Sequence, residues 1–66
     1  MKTEKQIRER IDFLESRDVD STDTIRALNY CILEKDIVLR ICASTMIMDK
    51  STSIQYIRTI LWVLED

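Results

Sequence analysis

The sequence of 66 residues contains no glycine, no proline and no histidine. Glycine supplies the positive backbone φ angles of tight turns, and proline sets turns and interrupts helices. A chain that lacks both is poorly suited to β-hairpins or phosphate-binding loops, and it favours helices. The absence of histidine removes the most frequent general base and metal ligand. Composition alone therefore predicts an all-α chain, and we expect it not to be an enzyme.

The sequence also has no strong excess of charge of one sign. Ten basic residues are interspersed with twelve acidic ones, for a net charge of −2. Avid binding of nucleic acid needs a clustered positive surface, so this pattern argues against it. A hydrophobic content of 45% indicates a globular chain. Chains this short bury little of their surface and often need a second subunit.

The two cysteines and the carboxylates form no ligand pattern in the sequence. Cys31 and Cys42 are too few for a zinc site and are expected to be reduced core thiols. Asp18, Asp20 and Asp23 lack the glycine turn and the closing glutamate of a calcium loop, so helix capping explains them better. No cofactor and no metal is expected. The amino-terminal residues contain no apolar stretch, so we expect a cytoplasmic protein.

Apolar residues at spacings of three and four predict three helices, with a long central one. The helices cover residues of about 4–17, 22–48 and 52–65. The charged run at 34–36 interrupts the apolar face of the central helix, and a break near 35–36 would give four short helices instead. Because no glycine, proline or good capping residue lies there, we expect the central helix to be continuous.

Two capping boxes are predicted at helix starts, Thr3 with Gln6 and Thr52 with Gln55. Loops are expected at about 18–23 and after Met48. The apolar repeats that identify these helices are Ile7, Ile11 and Leu14 in the first helix, one seam of Ile25, Leu28, Ile32, Leu39, Cys42 and Met46 in the second, and Ile54, Ile57, Leu61 and Leu64 in the third.

The sequence partly repeats itself when it is shifted by 32 positions. Residues 25–34 then align without gaps on residues 57–66, with aromatic on aromatic. One interpretation is a single domain, 1–66, made of two helix–loop–helix units, 1–34 and 35–66. The other is that any two amphipathic helices resemble each other.

The segment from Ile37 to Met48 is apolar at nine of twelve positions. A helix that is apolar nearly all round must be covered, and the other two helices are too short to cover it completely. We therefore expect the chain to complete its core as a homodimer, the usual form of self-association. The candidate interface residues are Ile37, Val38, Ile41, Met46, Met48 and Trp62.

The C-terminal run Thr59-Ile60-Leu61-Trp62-Val63-Leu64-Glu65-Asp66 resembles an ending, A-L-x-W-V-L-x-E, of small helical proteins from phages, prophages and archaeal mobile elements. Ala27-Leu28-Asn29-Tyr30-Cys31-Ile32-Leu33-Glu34 is similar, with tyrosine for tryptophan. The match covers about a quarter of the chain, and Thr59 and Cys31 depart from it. The resemblance implies a helical-hairpin protein directed at a host factor, in the host cytoplasm, and it assigns no catalytic or binding residue.

Together these patterns predict a small regulatory or inhibitory protein that occludes a protein partner and also binds itself. One alternative is a dimeric nucleic-acid-binding regulator, in which symmetry brings together Arg8, Arg26, Arg40 and Arg58. A second alternative is a self-assembling structural protein. No membrane association is expected, because the polar faces are mixed in charge.

Overall fold

A computed structural model of the protein describes residues 1–17 and 20–65. The elements in these two ranges are four α-helices and no strand: α1 (Glu4–Glu15), α2 (Thr22–Leu33), α3 (Asp36–Met48) and α4 (Ile54–Leu64). The all-helical class and the four-helix alternative are confirmed, and the continuous central helix is wrong. The predicted first loop and the predicted aspartate cluster fall partly on residues 18 and 19, outside the described residues.

The break between α2 and α3 lies at Glu34 and Lys35. Glu34 has a φ angle of −108° and a ψ angle of 152°, and Lys35 has a φ angle of −82° and a ψ angle of 158°. Both residues are therefore extended. A helix over the whole of 22–48 would be about 40 Å long, whereas the longest dimension of the molecule is 32 Å. The break lets Leu39 of α3 enter the same core as Leu28 of α2. Tertiary packing here outweighs local helical propensity.

The helices pack as two hairpins around a central pair. α2 and α4 pack against each other, α1 packs on α2, and α3 packs on α4. We call α1 with α2 the first hairpin and α3 with α4 the second hairpin. The buried apolar side chains are Ile7, Ile11, Leu14, Ala27, Leu28, Cys31, Leu39, Ala43, Ile60 and Val63.

The apolar repeat identified from the sequence is buried in α1 but does not coincide with the buried face of α4. Ile54 and Leu61, which belong to the repeat in α4, are 64% and 40% exposed, whereas Ile60 and Val63 are fully buried. α4 is apolar on most of its surface and packs against two helices, so its spacing alone does not define the buried face.

The predicted capping box at the start of α1 is confirmed. The backbone amide of Gln6 donates to the Thr3 hydroxyl at 3.2 Å. The backbone amide of Thr3 donates to the side-chain oxygen of Gln6, Oε1, at 2.8 Å. The second predicted box is wrong, because the N-cap of α4 is Ser53 and not Thr52. Ser53 is its N-cap and accepts from the Gln55 amide at 3.2 Å, outside the predicted pairing with Thr52.

The first residues of the chain cap the end of α4. The amide of Lys2 donates to the Val63 carbonyl at 2.7 Å, and its ammonium group donates to the Trp62 carbonyl at 3.0 Å. The same ammonium group lies 4.5 Å from the centre of the Trp62 ring. The last carbonyls of a helix lack partners within the helix and carry partial negative charge, so a cation is favourable there.

The two hairpins have matching structures when residues 32 apart are compared; we call such residues matching residues. The first residue of α1, Glu4, matches the first residue of α3, Asp36. The first residue of α2, Thr22, likewise matches the first residue of α4, Ile54. The i,i+4 ion pair of Glu4 with Arg8 matches that of Asp36 with Arg40. The buried residues also match, in the pairs Ile7 and Leu39, Ile11 and Ala43, Ala27 and Thr59, Leu28 and Ile60, and Cys31 and Val63.

Candidate interaction surface

α3 directs four large aliphatic side chains to solvent. Burial of one such side chain contributes about 1.5–3 kcal/mol, so leaving four exposed gives up a large stabilisation for a chain of this size. α3 is held instead by its opposite side, where Leu39 and Ala43 are buried. The exposed side chains are Ile37 at 67%, Ile41 at 63%, Ile47 at 61% and Met48 at 86%.

The matching residues of the first hairpin are polar. They are Lys5, Glu9, Glu15 and Ser16, and all four are exposed. Both α1 and α3 bury matching residues against the core. At the four exposed positions, however, α1 has polar residues and α3 has apolar ones. The apolar residues on the outer face of α3 are therefore not required by the hairpin fold.

α4 shows the same difference from its counterpart α2. Ile54 and Leu61 are exposed and match Thr22 and Asn29, which are exposed and polar. The short connection between α3 and α4 also places Ile54 near the end of α3 in the chain. We call the six exposed aliphatic residues of this hairpin the second-hairpin surface: Ile37, Ile41, Ile47, Met48, Ile54 and Leu61.

Three exposed apolar residues lie outside this surface: Met1, which is 38% exposed, Phe13 and Leu33. Leu33 is 81% exposed at the end of α2, directly before the break, and its matching residue Glu65 is polar. Phe13 is 46% exposed, but the guanidinium groups of Arg10 and Arg17 lie 5.4 and 5.1 Å from the centre of its ring. Cation–π contacts of this kind explain how Phe13 is accommodated at the surface.

The residues that the sequence predicted for an interface divide into two groups. Ile37, Ile41 and Met48 belong to the second-hairpin surface. Val38 is half-buried, whereas Met46 and Trp62 are partly buried and pack against the core. Met46 lies on the core-facing side of α3 because it follows Leu39 and Ala43 at helical spacing. The structure thus does not bring all six residues to one face.

The arginines of the nucleic-acid alternative are all exposed but differ in their partners. Arg8 contacts Glu4 at 3.4 Å, and Arg40 contacts Asp36 at 2.9 Å, so two of the four positive charges are paired on their own helices. Arg58 lines a cleft on the other side of its helix from Ile60. Arg26 lies on the outer side of α2.

Sequence reasoning missed Ile54 and Leu61, which it placed on the apolar repeat of the third helix and not among the candidate interface residues. The signal that could have found them is the internal alignment, since Thr22 and Asn29 are polar at the matching positions. Comparing residues 32 apart for polarity, and not only for similarity, distinguishes a required core residue from an apolar residue on an outer face.

The described part of the chain contains no cluster of three or more side chains of the types that hold metals. Both cysteines are free, with Cys31 buried and Cys42 half-buried. Burial raises the pKa of the Cys31 thiol to about 11, so this group is protonated at neutral pH and is a poor nucleophile. None of the four described helices has the length and apolar character needed to cross a membrane.

Comparison of the chain with protein-family models, with curated proteins and with solved structures gave no match. Within the described residues, the fold consists of four helices arranged as two helical hairpins. The surfaces of the molecule itself are therefore the guide to its function.

Proposed function

We propose that this protein is a small, non-enzymatic interaction module that acts by covering a surface of another protein molecule with its second hairpin. The supporting observation is the internal comparison between the hairpins. At six matching positions the first hairpin has polar residues and the second has exposed aliphatic residues. Exposed apolar patches on small soluble chains are typical of protein-binding sites.

Self-association is the simplest use of this surface. A second copy offers the same patch, and a twofold contact would remove both patches from water at once. A regulatory or inhibitory role follows if the surface also binds a different protein, because a bound hairpin excludes other partners from the groove or face it covers. The resemblance to helical proteins of mobile elements is compatible with a host protein as that partner.

The test replaces Ile37 and Ile41 by the residues that the first hairpin has at the matching positions, as Ile37→Lys and Ile41→Glu together. Sedimentation equilibrium over a wide concentration range measures association, and circular dichroism measures helicity. We expect the double variant to remain helical and to lose association. The matched control is Lys5→Gln with Glu9→Gln on α1, which should associate like the original protein.

A tagged pull-down with and without nuclease, using the same variants, identifies the kind of partner. Recovery of one protein that depends on Ile37 and Ile41, whether or not nuclease is added, supports the proposal. Recovery of nuclease-sensitive material would favour the nucleic-acid alternative. A chain that is monomeric at every concentration and recovers no protein would contradict the proposal, and open-ended assembly would favour the structural alternative.

A further inference from the structure

A second surface feature, built from other residues, lies between α1, α2 and α4. It is a cleft of about 270 Å³. Its apolar part is formed by Leu14 and Leu28, which belong to the core, and by Trp62. Arg10 and Arg58 line the same cleft. None of the residues that line it is acidic.

Neither arginine is neutralised within the described residues, where the ion pairs are those of Arg8 and Arg40. The guanidinium group of Arg10 lies 5.9 Å from the centre of the Trp62 ring, which orients it without satisfying its N–H donors. The arginines therefore give an open apolar cleft two positive charges with free donors. A planar guanidinium group is suited to bind a carboxylate through two parallel hydrogen bonds.

The other hairpin has different residues at positions that match this cleft. Arg10 matches Cys42, and Trp62 matches Tyr30; the Tyr30 hydroxyl and the Cys42 thiol lie 3.0 Å apart, in direct contact. Thr24, which lines the cleft, matches the much larger Tyr56, which packs against the core. At the positions that match the lining of this cleft, the second hairpin therefore has the larger Tyr56 in place of Thr24 and the uncharged Cys42 in place of Arg10.

A neighbouring acidic region limits the kind of anion that fits. A second cleft shares Thr24 and Gln55 with the first and is also lined by Asp20 and Asp23. Hydrogen bonds from the backbone amide and the hydroxyl of Thr22 lower the pKa of Asp20, so it is charged at neutral pH. A long polyanion such as nucleic acid would meet these carboxylates, whereas a single carboxylate would not.

We propose that the cleft between α1, α2 and α4 binds a carboxylate attached to an apolar group. Arg10 and Arg58 hold the carboxylate, and the apolar group lies against Trp62 and the exposed edge of Leu14. The ligand is either a small free acid or the C-terminal residue of a peptide.

The experiment titrates the ¹⁵N-labelled full chain with N-acetyl-leucine and follows the indole N–H of Trp62, the single tryptophan of the sequence. We expect a saturable shift with a Kd of about 1 mM, as for other small ligands of open clefts, and at least about tenfold weaker binding of the uncharged N-acetyl-leucinamide. A tripeptide, N-acetyl-Ala-Ala-Leu, distinguishes the two sources: tighter binding than N-acetyl-leucine indicates a peptide C-terminus, and equal or weaker binding a small acid.

Variants of the lining residues test the assignment. Arg10→Gln and Arg58→Gln should each weaken binding of N-acetyl-leucine about tenfold or more. Thr24→Tyr, which introduces the larger residue of the matching Tyr56, should abolish it. Arg26→Gln is the control, because Arg26 matches Arg58 but does not line the cleft. Circular dichroism checks that each variant is folded, and the two glutamine variants are sufficient if Thr24→Tyr does not fold.

Three outcomes would overturn the proposal. The amide could bind as well as the acid, Arg26→Gln could weaken binding as much as Arg58→Gln, or sodium acetate alone could move the Trp62 signal as strongly as N-acetyl-leucine. The last result would mean general attraction of small anions and not a site for an apolar acid. None of these outcomes depends on the second-hairpin surface, so the two proposals can fail separately.

Discussion

The hydroxyl of Tyr30 on α2 and the thiol of Cys42 on α3 form a hydrogen bond of 3.0 Å that spans the break between the two helices. This bond, together with burial, raises the pKa of Tyr30 to about 12. Because α3 packs mainly on α4, the contact is a direct link between α3 and the helix that precedes it in the chain. It helps to set the direction in which α3 leaves the break.

Replacing Tyr30 by phenylalanine tests the strength of this link. We expect Tyr30→Phe to lower the free energy of unfolding by about 1 kcal/mol, the typical contribution of one intramolecular hydrogen bond. Urea denaturation followed by circular dichroism measures it. Tyr56→Phe is the control, because within the described residues the Tyr56 hydroxyl makes no hydrogen bond. Equal decreases in the free energy of unfolding of the two variants would show that the contact between Tyr30 and Cys42 contributes nothing specific.

The buried thiol of Cys31 predicts loss of stability in alkaline solution. Burial raises its pKa from 9.0 to about 11. Between these pH values the unfolded chain releases the thiol proton while the folded chain keeps it, so the free energy of unfolding falls as the pH rises, by about 1 kcal/mol per pH unit at most. Cys31→Val, which introduces the residue type of the matching Val63, should remove this contribution.

The measurement compares urea denaturation of the original protein and of Cys31→Val at neutral pH and at values between pH 9 and pH 11. The raised pKa of Tyr30 destabilises both proteins above about pH 10 in the same direction, so the difference between the two curves isolates Cys31. Curves that fall in parallel from pH 9 would contradict the assignment to the buried thiol.

The break at Glu34 and Lys35 can be tested with proline. The φ angle of Lys35 is −82° and the ψ angle of Glu34 is 152°, which suit a proline and the residue before it. The Lys35 amide donates to no backbone acceptor in the described residues. We therefore expect Lys35→Pro to leave the free energy of unfolding unchanged or to raise it by about 0.4–1 kcal/mol, because proline restricts the unfolded chain.

Asn29→Pro, at an exposed position inside α2, is the control and should lower the free energy of unfolding by about 3 kcal/mol or more. Thermal or urea denaturation of both variants decides the question. If Lys35→Pro were as destabilising as Asn29→Pro, the chain would be continuous in helix through residue 35, and the four-helix arrangement would be wrong.

The parts of the fold that follow from neighbouring residues were predictable. The start of α1 was predicted because Thr3 and Gln6 satisfy each other's backbone donors within one turn. Its buried stripe was predicted because Phe13 is the one apolar residue of α1 outside that stripe, so Ile7, Ile11 and Leu14 define a single face. The ion pair of Glu4 with Arg8 was predictable for the same reason, since both residues lie on one helix.

The candidate sites were less predictable. Ile37 and Ile41 were selected because α3 is too apolar to be covered, but Met46 was selected with them although it faces the core. The cleft was not predicted at all. Arg10 and Arg58 are 48 positions apart in the sequence, and only the packing of α1 and α4 around α2 brings them to one cleft.

By itself, the sequence determined that this chain is helical, where its first helix begins, and that one segment has more apolar residues than its own fold can bury. These properties depend on composition and on contacts within a few residues. Only the tertiary structure decided that the central segment breaks at Lys35, that α4 buries Ile60 and exposes Leu61, and that two arginines share a cleft. Each of these depends on helices competing for the same small core, and that competition involves residues far apart in the chain.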